Sequence, residues 1–250
     1  MIPKIIHYCW FGGNPLPESV VKCIESWKKY CPDYEIIEWN EKKYDVNKIT
    51  YTKEAYRVQK YAFVSDYARL DIVYNHGGIY LDTDVELIKP LDEFLKYKCY
   101  VGCELPDRVA TGLGFGAVKG NVFLKENMAI YEKRNFIING KNDTTTCVDY
   151  TMTALEKMGY SYNEGIQSLD FVTIFPTEYF CPFDMQKQEL FITENTHSIH
   201  HYEATWKSNN LIIRRAERMM LPIKIKLRRF VDNTFGKGTY TRMKNVFKIN

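Results

Sequence analysis

Residues 61–86 read YAFVSDYARLDIVYNHGGIYLDTDVE, and this stretch decides the fold. Apolar residues recur at helical spacing in its first part, which predicts a helix that ends at Gly77 and Gly78. A short apolar strand then leads directly into Asp82 and Asp84. Residues i and i+2 of a strand face the same side, so both carboxylates can point at one object. The stretch predicts a helix, a tight turn and a strand that ends in a carboxylate pair.

The carboxylate pair predicts a cation site. Two like charges this close need a cation or a proton between them. Oxygen ligands suit Mg²⁺ or Mn²⁺, whose open coordination positions take phosphate oxygens. A lone D-x-D pair is a frequent chance match, and it also serves to stabilise turns. Asp66 and Arg69 strengthen the cation reading because they lie one turn apart on the preceding helix, although ion pairs at this spacing are common on surfaces.

Hydrophobic spacing along the rest of the chain predicts the α/β class. A strand over 3–11, a helix that ends before Pro32 and a strand over 34–39 favour a right-handed crossover and a parallel sheet. Residues 40–52 have the composition of a polar connection. Further helices are predicted over 53–76, 121–135 and 146–158, and further strands over 99–103, 113–118 and 171–175. We therefore expect a mostly parallel central sheet flanked by helices.

Glycines alternate along one of these predicted strands, at Gly112, Gly114 and Gly116. The pattern indicates either a close approach of other atoms to the backbone or a weakly paired edge strand. It is not a G-x-G-x-x-G phosphate loop, because no helix begins in the right register.

Composition narrows the class of protein. The net charge of +3 over 250 residues implies no strong polyelectrolyte partner, so we expect no nucleic acid. The seven cysteines are an odd number without a C-x-x-C pair, which favours reduced, buried thiols in a cytoplasmic protein. No signal peptide and no apolar run of about 18 residues is evident, so neither secretion nor a spanning helix is expected.

The positive charge is concentrated near the end of the chain. We expect a main domain over 1–210 and a basic amphipathic helical tail over 211–250, with a helix over 211–221 that breaks near Pro222. Such a tail either lies on an anionic membrane, at the inner face of the plasma membrane, or docks on the domain with a solvated basic face. The sequence leaves both alternatives open.

Residues 197–206, HSIHHYEATW, hold three of the five histidines. A histidine close to the carboxylate pair would complete a cation site. A single histidine is more often a hydrogen-bonded structural residue. The clustering, together with a dicarboxylate in need of a partner, favours the cation site here.

Three motifs resemble the DXD-containing glycosyltransferases of family 32, the capsule and lipopolysaccharide sugar transferases. They are IPKIIHYCWFGG at 2–13, SDYARLDIVYNHGGIYLDTDV at 65–85 and HHYEATW at 200–206. This family is similar to the yeast outer-chain α-mannosyltransferase and distantly to the glucosylating domains of clostridial toxins. The resemblance implies a GT-A type fold, a nucleotide-sugar donor, Mn²⁺ or Mg²⁺, and retention of configuration at the anomeric carbon.

The resemblance also implies roles on the donor side. Trp10 would stack on the nucleotide base, expected to be the uracil of a UDP-sugar, and Trp206 would cover the diphosphate. Asp66 and Arg69 would hold donor sugar hydroxyls, with Arg69 also near the diphosphate. Tyr80 would line the donor pocket. The acceptor side, residues 104–150, receives no assignment from the resemblance.

The metal side follows from the same resemblance. Asp84 would bind the cation directly, and Asp82 would bridge the ribose or sugar to the metal shell. His201 would approach the metal or diphosphate from the C-terminal side, in preference to His200.

The expected function is transfer of a hexose to an oligosaccharide or lipid-linked acceptor in cell-surface polysaccharide biosynthesis. The alternative is another Mg²⁺-dependent, nucleotide-using enzyme such as a nucleotidyltransferase. That class usually has a basic, glycine-rich loop after its first strand, whereas residues 11–17, FGGNPLP, contain no basic residue. A module that binds membrane or nucleic acid through the tail would leave Arg69, Asp82 and Asp84 unexplained.

Overall fold

A computed structural model describes residues 1–184 and 189–202, and in addition 227, 230–231, 234–236, 239–240 and 243. Two compact units can be distinguished, one of residues 1–183 and 191–203 and the other of residues 184–190 and 204–250. The predicted helix over 211–221 lies outside the described residues, so the domain boundary at 210 and the tail stay predictions. No helix in the described part of the chain is long and apolar enough to cross a membrane.

Helices and strands are interspersed along the first half of the chain. The helices are α1 (Glu18–Tyr30), α2 (Thr50–Arg57), α3 (Tyr61–His76), α4 (Val122–Glu132), α5 (Cys147–Lys157) and α6 (Thr177–Phe180), with a 3₁₀ turn at Asp92–Phe94. The strands are β1 (Ile5–Cys9), β2 (Glu35–Trp39), β3 (Gly78–Tyr80), β4 (Val85–Leu87), β5 (Cys99–Leu105), β6 (Arg108–Ala117), β7 (Ile137–Ile138), β8 (Lys141–Asn142), β9 (Gln167–Ser168), β10 (Thr173–Phe175), β11 (Phe183–Asp184), β12 (Glu189–Leu190) and β13 (Ser198–His200).

The central sheet has seven strands in the order β2-β1-β3-β6-β5-β10-β9. β1 pairs in parallel with both β2 and β3, and β5 pairs in parallel with β10. β6 and β9 run against their neighbours, so five of the seven strands share one direction. The predicted α/β class with a mostly parallel central sheet is confirmed, and the antiparallel β6 lies in its middle.

The core is split between the two faces of this sheet. One cluster contains the buried side chains of α2, α3, α4 and α5, and the other contains those of α1 and β4. Strands buried on both faces are typical of parallel sheets. All seven cysteines are free thiols, and all except Cys147 are fully buried, in agreement with the prediction from their number.

The predicted helix over 53–76 is two helices, and the prediction of one was wrong. α2 begins at Thr50, inside the stretch expected to be a polar connection, where Tyr51 and Thr52 are buried. Gln59 then adopts a φ of 57°, a left-handed conformation that interrupts the helical backbone before α3 starts. The helix end was predicted correctly, because Gly77 has a φ of 72° and its N–H donates to the carbonyl of Val73.

The alternating glycines belong to a central strand, so the edge-strand alternative was wrong. A methyl group on Gly114 would lie 2.7 Å from Leu81, and one on Gly116 would lie 2.5 Å from Tyr100. Both distances are shorter than non-bonded carbon atoms allow. The glycines are needed because neighbouring side chains pack against the backbone of β6.

Candidate active site

The carboxylate pair lies between two strands that have different partners. Asp82 follows β3 in the central sheet, and Asp84 precedes β4, which pairs with β13 instead. The β4–β13 register sets His200 opposite Val85, the residue after Asp84. As a result, Nε2 of His200 lies 3.2 Å from Oδ1 of Asp84. One ligand atom from each of Asp82, Asp84 and His200 lies within 4.8 Å of the others.

His201 does not face this cluster, which corrects the preference for it in the sequence analysis. Its Nε2 lies 2.8 Å from Oε2 of Glu86, and both side chains are 42% exposed. Neighbouring residues of a strand point to opposite sides, so His200 and His201 cannot both reach the carboxylates. The strand register selects His200.

Arg69 connects the helix α3 to the carboxylate pair. Its Nη2 lies 3.0 Å from Oδ1 of Asp66 and 3.1 Å from Oδ1 of Asp82. Its Nε donates to the carbonyl of Ser65, and its guanidinium stacks 5.1 Å from the ring centre of Tyr80. The Arg69 side chain is only 4% exposed, so this is a buried pair and not the surface ion pair that its spacing also allows. Removing one partner of such a pair would leave an uncompensated buried charge.

Tyr80 completes the positioning of Asp82. Its hydroxyl donates to Oδ1 of Asp82 at 3.0 Å, and its side chain is fully buried beneath Arg69. Asp82 is therefore held in one orientation by two donors, one from β3 itself and one from α3. A carboxylate fixed in this way loses little rotamer freedom when it binds a ligand.

The electrostatics show an excess of negative charge. Burial raises the pKa of Asp66 to about 6, although Arg69 opposes the shift. Burial also raises the pKa of Asp82, with Arg69 opposing and Asp84 adding to the shift. For His200, burial lowers the pKa, but the hydrogen bond to Asp84 and the charges of both aspartates raise it overall. The cluster favours a positive charge at this point, which a proton on His200 or a bound cation supplies.

The side chains present fit a divalent cation. Two carboxylates and one imidazole are a donor set that Mn²⁺ accepts well and Mg²⁺ accepts through its oxygens. Nδ1 of His200 is buried and has no hydrogen-bond partner among the described residues. A buried polar atom without a partner is unusual outside sites that a ligand or ion completes.

Two residues without a predicted role lie against the site. A methyl group on Gly112 would be 2.9 Å from Oδ2 of Asp82 and 3.2 Å from Nη1 of Arg69. Cys147, the first residue of α5, has its sulfur 3.9 Å from Nη1 of Arg69. The alternating glycines were a signal for Gly112, whereas nothing in the sequence indicated Cys147. Burial and the charge of Asp66 raise the pKa of Cys147, so its thiol stays protonated.

The structure describes only one of the two tryptophans that are predicted to bind the nucleotide. Trp10 follows β1, the parallel neighbour of β3, and is therefore at the same edge of the sheet as Asp82. Its indole nitrogen donates to the carbonyl of Asn14 at 2.6 Å. Trp206 lies outside the described residues. The predicted roles of both in nucleotide binding stay predictions.

A family model for the glycosyltransferase sugar-binding region containing the DXD motif matches residues 17–101, which include Asp66, Arg69, Asp82 and Asp84. This part of the chain is therefore similar to the DXD-containing glycosyltransferases. Among curated proteins of similar sequence, inositol phosphoceramide mannosyltransferase 3 of Schizosaccharomyces pombe is 33% identical over 131 residues, 49% of this chain and 35% of that protein. Mannosyl phosphorylinositol ceramide synthase CSH1 of Saccharomyces cerevisiae is 29% identical over 147 residues, 55% of this chain and 38% of that protein. The chain thus spans well under half the length of either relative.

Solved structures of similar shape also carry glycosyltransferase descriptions. The PaToxG glycosyltransferase has a TM-score of 0.49 at 18% identity. The alignment covers 62% of this chain and 68% of that one. A glycosyltransferase involved in glycosylation of the major capsid of PBCV-1 has a TM-score of 0.47 at 13% identity, covering 86% of this chain and 97% of its own. The similarity to the DXD-containing glycosyltransferases rests on the sequence matches.

Proposed function

We propose that the protein transfers a hexose from a nucleotide sugar to a saccharide or lipid-linked acceptor, using a divalent cation held by Asp82, Asp84 and His200. The observation that carries the proposal is the convergence of these three side chains within 4.8 Å, with Asp82 held by the buried Arg69 and both aspartates inside the matched DXD region. A UDP-sugar with Mn²⁺ or Mg²⁺ is the expected donor complex.

The chemistry suits this arrangement. Transfer expels a nucleoside diphosphate, and a bound cation supplies charge that stabilises the departing phosphate oxygens. Arg69 donates to the carbonyl of Ser65 and pairs with Asp66 and Asp82, so we assign it the orientation of the carboxylates. Its predicted contact with the diphosphate stays a prediction. Asp66, whose pKa is about 6, is the candidate acceptor of a donor sugar hydroxyl.

We further propose that transfer proceeds with retention at the anomeric carbon. No protein nucleophile is assigned, because the acceptor would attack on the face from which the diphosphate leaves, with a diphosphate oxygen as the base. The configuration of the product, read by NMR of its anomeric proton, tests this directly.

Mannose is the first hexose to test, because two curated relatives are named inositol phosphoceramide mannosyltransferases and a third is named a mannosyl phosphorylinositol ceramide synthase. A panel of UDP- and GDP-sugars covers mannose, glucose and galactose. A role in cell-surface polysaccharide biosynthesis, at the cytoplasmic face of a membrane reached through residues 211–250, is part of the proposal. Deletion of the residues after Asn210 is expected to reduce membrane association in cell fractionation.

The test of the activity uses Asp84→Ala with Glu86→Gln as its matched control. Asp84 directly precedes β4 and Glu86 lies within it, but Glu86 bonds His201 outside the cluster. Asp84→Ala is expected to abolish release of nucleoside diphosphate from the donor panel, and excess EDTA is expected to do the same to the wild type. Full activity of Asp84→Ala, or activity in EDTA, would refute the metal role. Release of pyrophosphate from a nucleoside triphosphate mixed with a sugar 1-phosphate would instead identify a nucleotidyltransferase.

A further inference from the structure

A second site lies apart from the carboxylate cluster. It is a cavity of about 230 Å³ in the first unit, and none of the cluster residues forms its wall. Its wall includes Cys103, Tyr160, Tyr162, Asn163, Glu164 and Gln167.

The cavity lies at the same edge of the sheet as Asp82. Its wall contains Cys103 near the end of β5 and Pro176 directly after β10, and both strands run in the direction of β3. Ligands of α/β sheets bind outside the carboxyl ends of such strands. The cavity and the carboxylate pair therefore open toward the same side of the fold.

A short chain of contacts joins the cavity wall to His200. Thr177 lines the cavity and begins α6, which ends one residue before Cys181. The sulfur of Cys181 lies 2.8 Å from the hydroxyl of Tyr202, and the Tyr202 ring packs edge-on against His200 at 4.2 Å between centres. The short helix α6 and the side chains of Cys181 and Tyr202 thus connect the cavity wall to His200, the candidate metal ligand.

The cavity wall has the chemistry of a sugar site. Tyr160 is 7% exposed and Tyr162 is 37% exposed, so one ring is part of the wall and the other is open to a ligand. Tyrosine offers an apolar face and a polar tip, while the amides and carboxylate of Asn163, Gln167 and Glu164 can bond hydroxyl groups. No lysine or arginine is among the lining residues, which disfavours a phosphate.

Size also limits the ligand. Pockets for drug-sized molecules are about 300–1,000 Å³, so a cavity of about 230 Å³ suits one ring and is too small to enclose a whole nucleotide sugar. We propose that this cavity binds a neutral sugar ring of the acceptor. The binding of a sugar is argued from the cavity wall alone, whereas the identity of that sugar as the acceptor rests on the proposed function.

The first experiment measures binding and needs no catalytic turnover. Saturation-transfer NMR with methyl α- and β-glycosides of mannose, glucose and galactose compares the wild type with Tyr162→Ala, Glu164→Gln and Phe171→Ala. Phe171 is the matched control, since it is 37% exposed like Tyr162 but does not line the cavity. We expect at least one glycoside to bind the wild type and Phe171→Ala, and to bind Tyr162→Ala and Glu164→Gln about 5- to 30-fold more weakly, the effect of losing one good contact.

The second experiment separates the acceptor from the donor. Tyr162→Ala is expected to raise the KM for the bound glycoside while leaving donor hydrolysis without glycoside unchanged. Equal loss of donor hydrolysis would place the donor in the cavity and overturn the acceptor assignment. Absence of glycoside binding to the wild type, or equal binding by Tyr162→Ala and Phe171→Ala, would overturn the cavity as a sugar site.

The two proposals fail separately. If no nucleotide sugar is bound or hydrolysed by the wild type, the proposed function fails, whereas loss of glycoside binding in Tyr162→Ala would still support a sugar ring in the cavity. Thermal melts of all variants confirm that each is folded at the assay temperature. Glu164→Gln retains the shape of the side chain and keeps the test valid if Tyr162→Ala is unstable.

Discussion

His7 and His200 are both largely buried in strands of the first unit, but their ring nitrogens have opposite surroundings. Nε2 of His7 lies 2.9 Å from the carbonyl oxygen of Gly77, and the indole nitrogen of Trp39 lies 3.1 Å from Nδ1 of His7. An indole N–H can only donate, so Nδ1 accepts and the proton is on Nε2. Both nitrogens of neutral His7 are satisfied by neutral groups.

His200 differs from His7 because it lies against charged groups and only one of its two ring nitrogens has a hydrogen-bond partner among the residues described. Its Nε2 lies against the carboxylate of Asp84, and its buried Nδ1 has no hydrogen-bond partner among the residues described. Burial lowers the pKa of His7 to about 4, whereas the two aspartates raise that of His200. A complete neutral network is typical of a structural histidine, and an incomplete charged one is typical of a site that a ligand completes.

The comparison of His7 with His200 predicts the largest effect for a substitution of His200. His200→Ala removes one of three candidate ligands, so the affinity for Mn²⁺ is expected to fall about 100-fold. His201→Ala is the control, because its imidazole bonds Glu86 and its loss should leave Mn²⁺ affinity nearly unchanged. Calorimetric titration of each variant with MnCl₂ measures both. Equal losses in the two variants would break the distinction drawn from the strand register.

Gly112 is the next test, because it limits the space around Asp82. Gly112→Ala would force Asp82 or Arg69 to move, and a displacement of about 1 Å in a catalytic group can cost about 100-fold in rate. Gly116→Ala on the same strand crowds Tyr100 instead, so it should lower the melting temperature without this loss of kcat. Donor hydrolysis measured well below both melting temperatures separates the effects. Normal kcat in Gly112→Ala would show that the site tolerates the shift.

His7 predicts a pH dependence of stability. Its folded pKa of about 4 lies below the ordinary value of 6.5, so the unfolded chain binds more protons between these values and stability falls on acidification through this window. Full protonation would cost about 3 kcal/mol. The measurable quantity is the difference in unfolding free energy between wild type and His7→Gln, from urea titrations at pH 7 and pH 4. The wild-type advantage should shrink as the pH falls, and a constant difference would contradict the neutral assignment.

The smallest expected effect is at Trp39. Trp39→Phe removes the N–H that keeps Nδ1 of His7 an acceptor, at a cost of about 1 kcal/mol in unfolding free energy at pH 7. It should also raise the pKa of His7, which NMR titration of the imidazole reports. An unchanged pKa would mean that burial alone keeps His7 neutral.

The local part of the fold was predictable. Three sequence patterns each act within a few residues: the helical spacing of apolar residues, the glycine that ends α3 and the short apolar strands. Together they placed four residues close to one another, namely Asp66, Arg69, Asp82 and Asp84. The break between α2 and α3 was not predictable, since Gln59 in a left-handed conformation has no sequence signal comparable to glycine.

The sequence by itself determined the order of the elements, the carboxylate pair and the helix that carries Arg69. Only the tertiary structure decided which histidine joins them. Strand pairing between β4 and β13 brings together residues that are far apart in the chain, and a slip of one residue would have presented His201 in place of His200. The same holds for Gly112 and Cys147, which reach Arg69 from β6 and α5 through packing of the core. Local patterns fix what a segment can form, whereas register and packing fix which side chains meet.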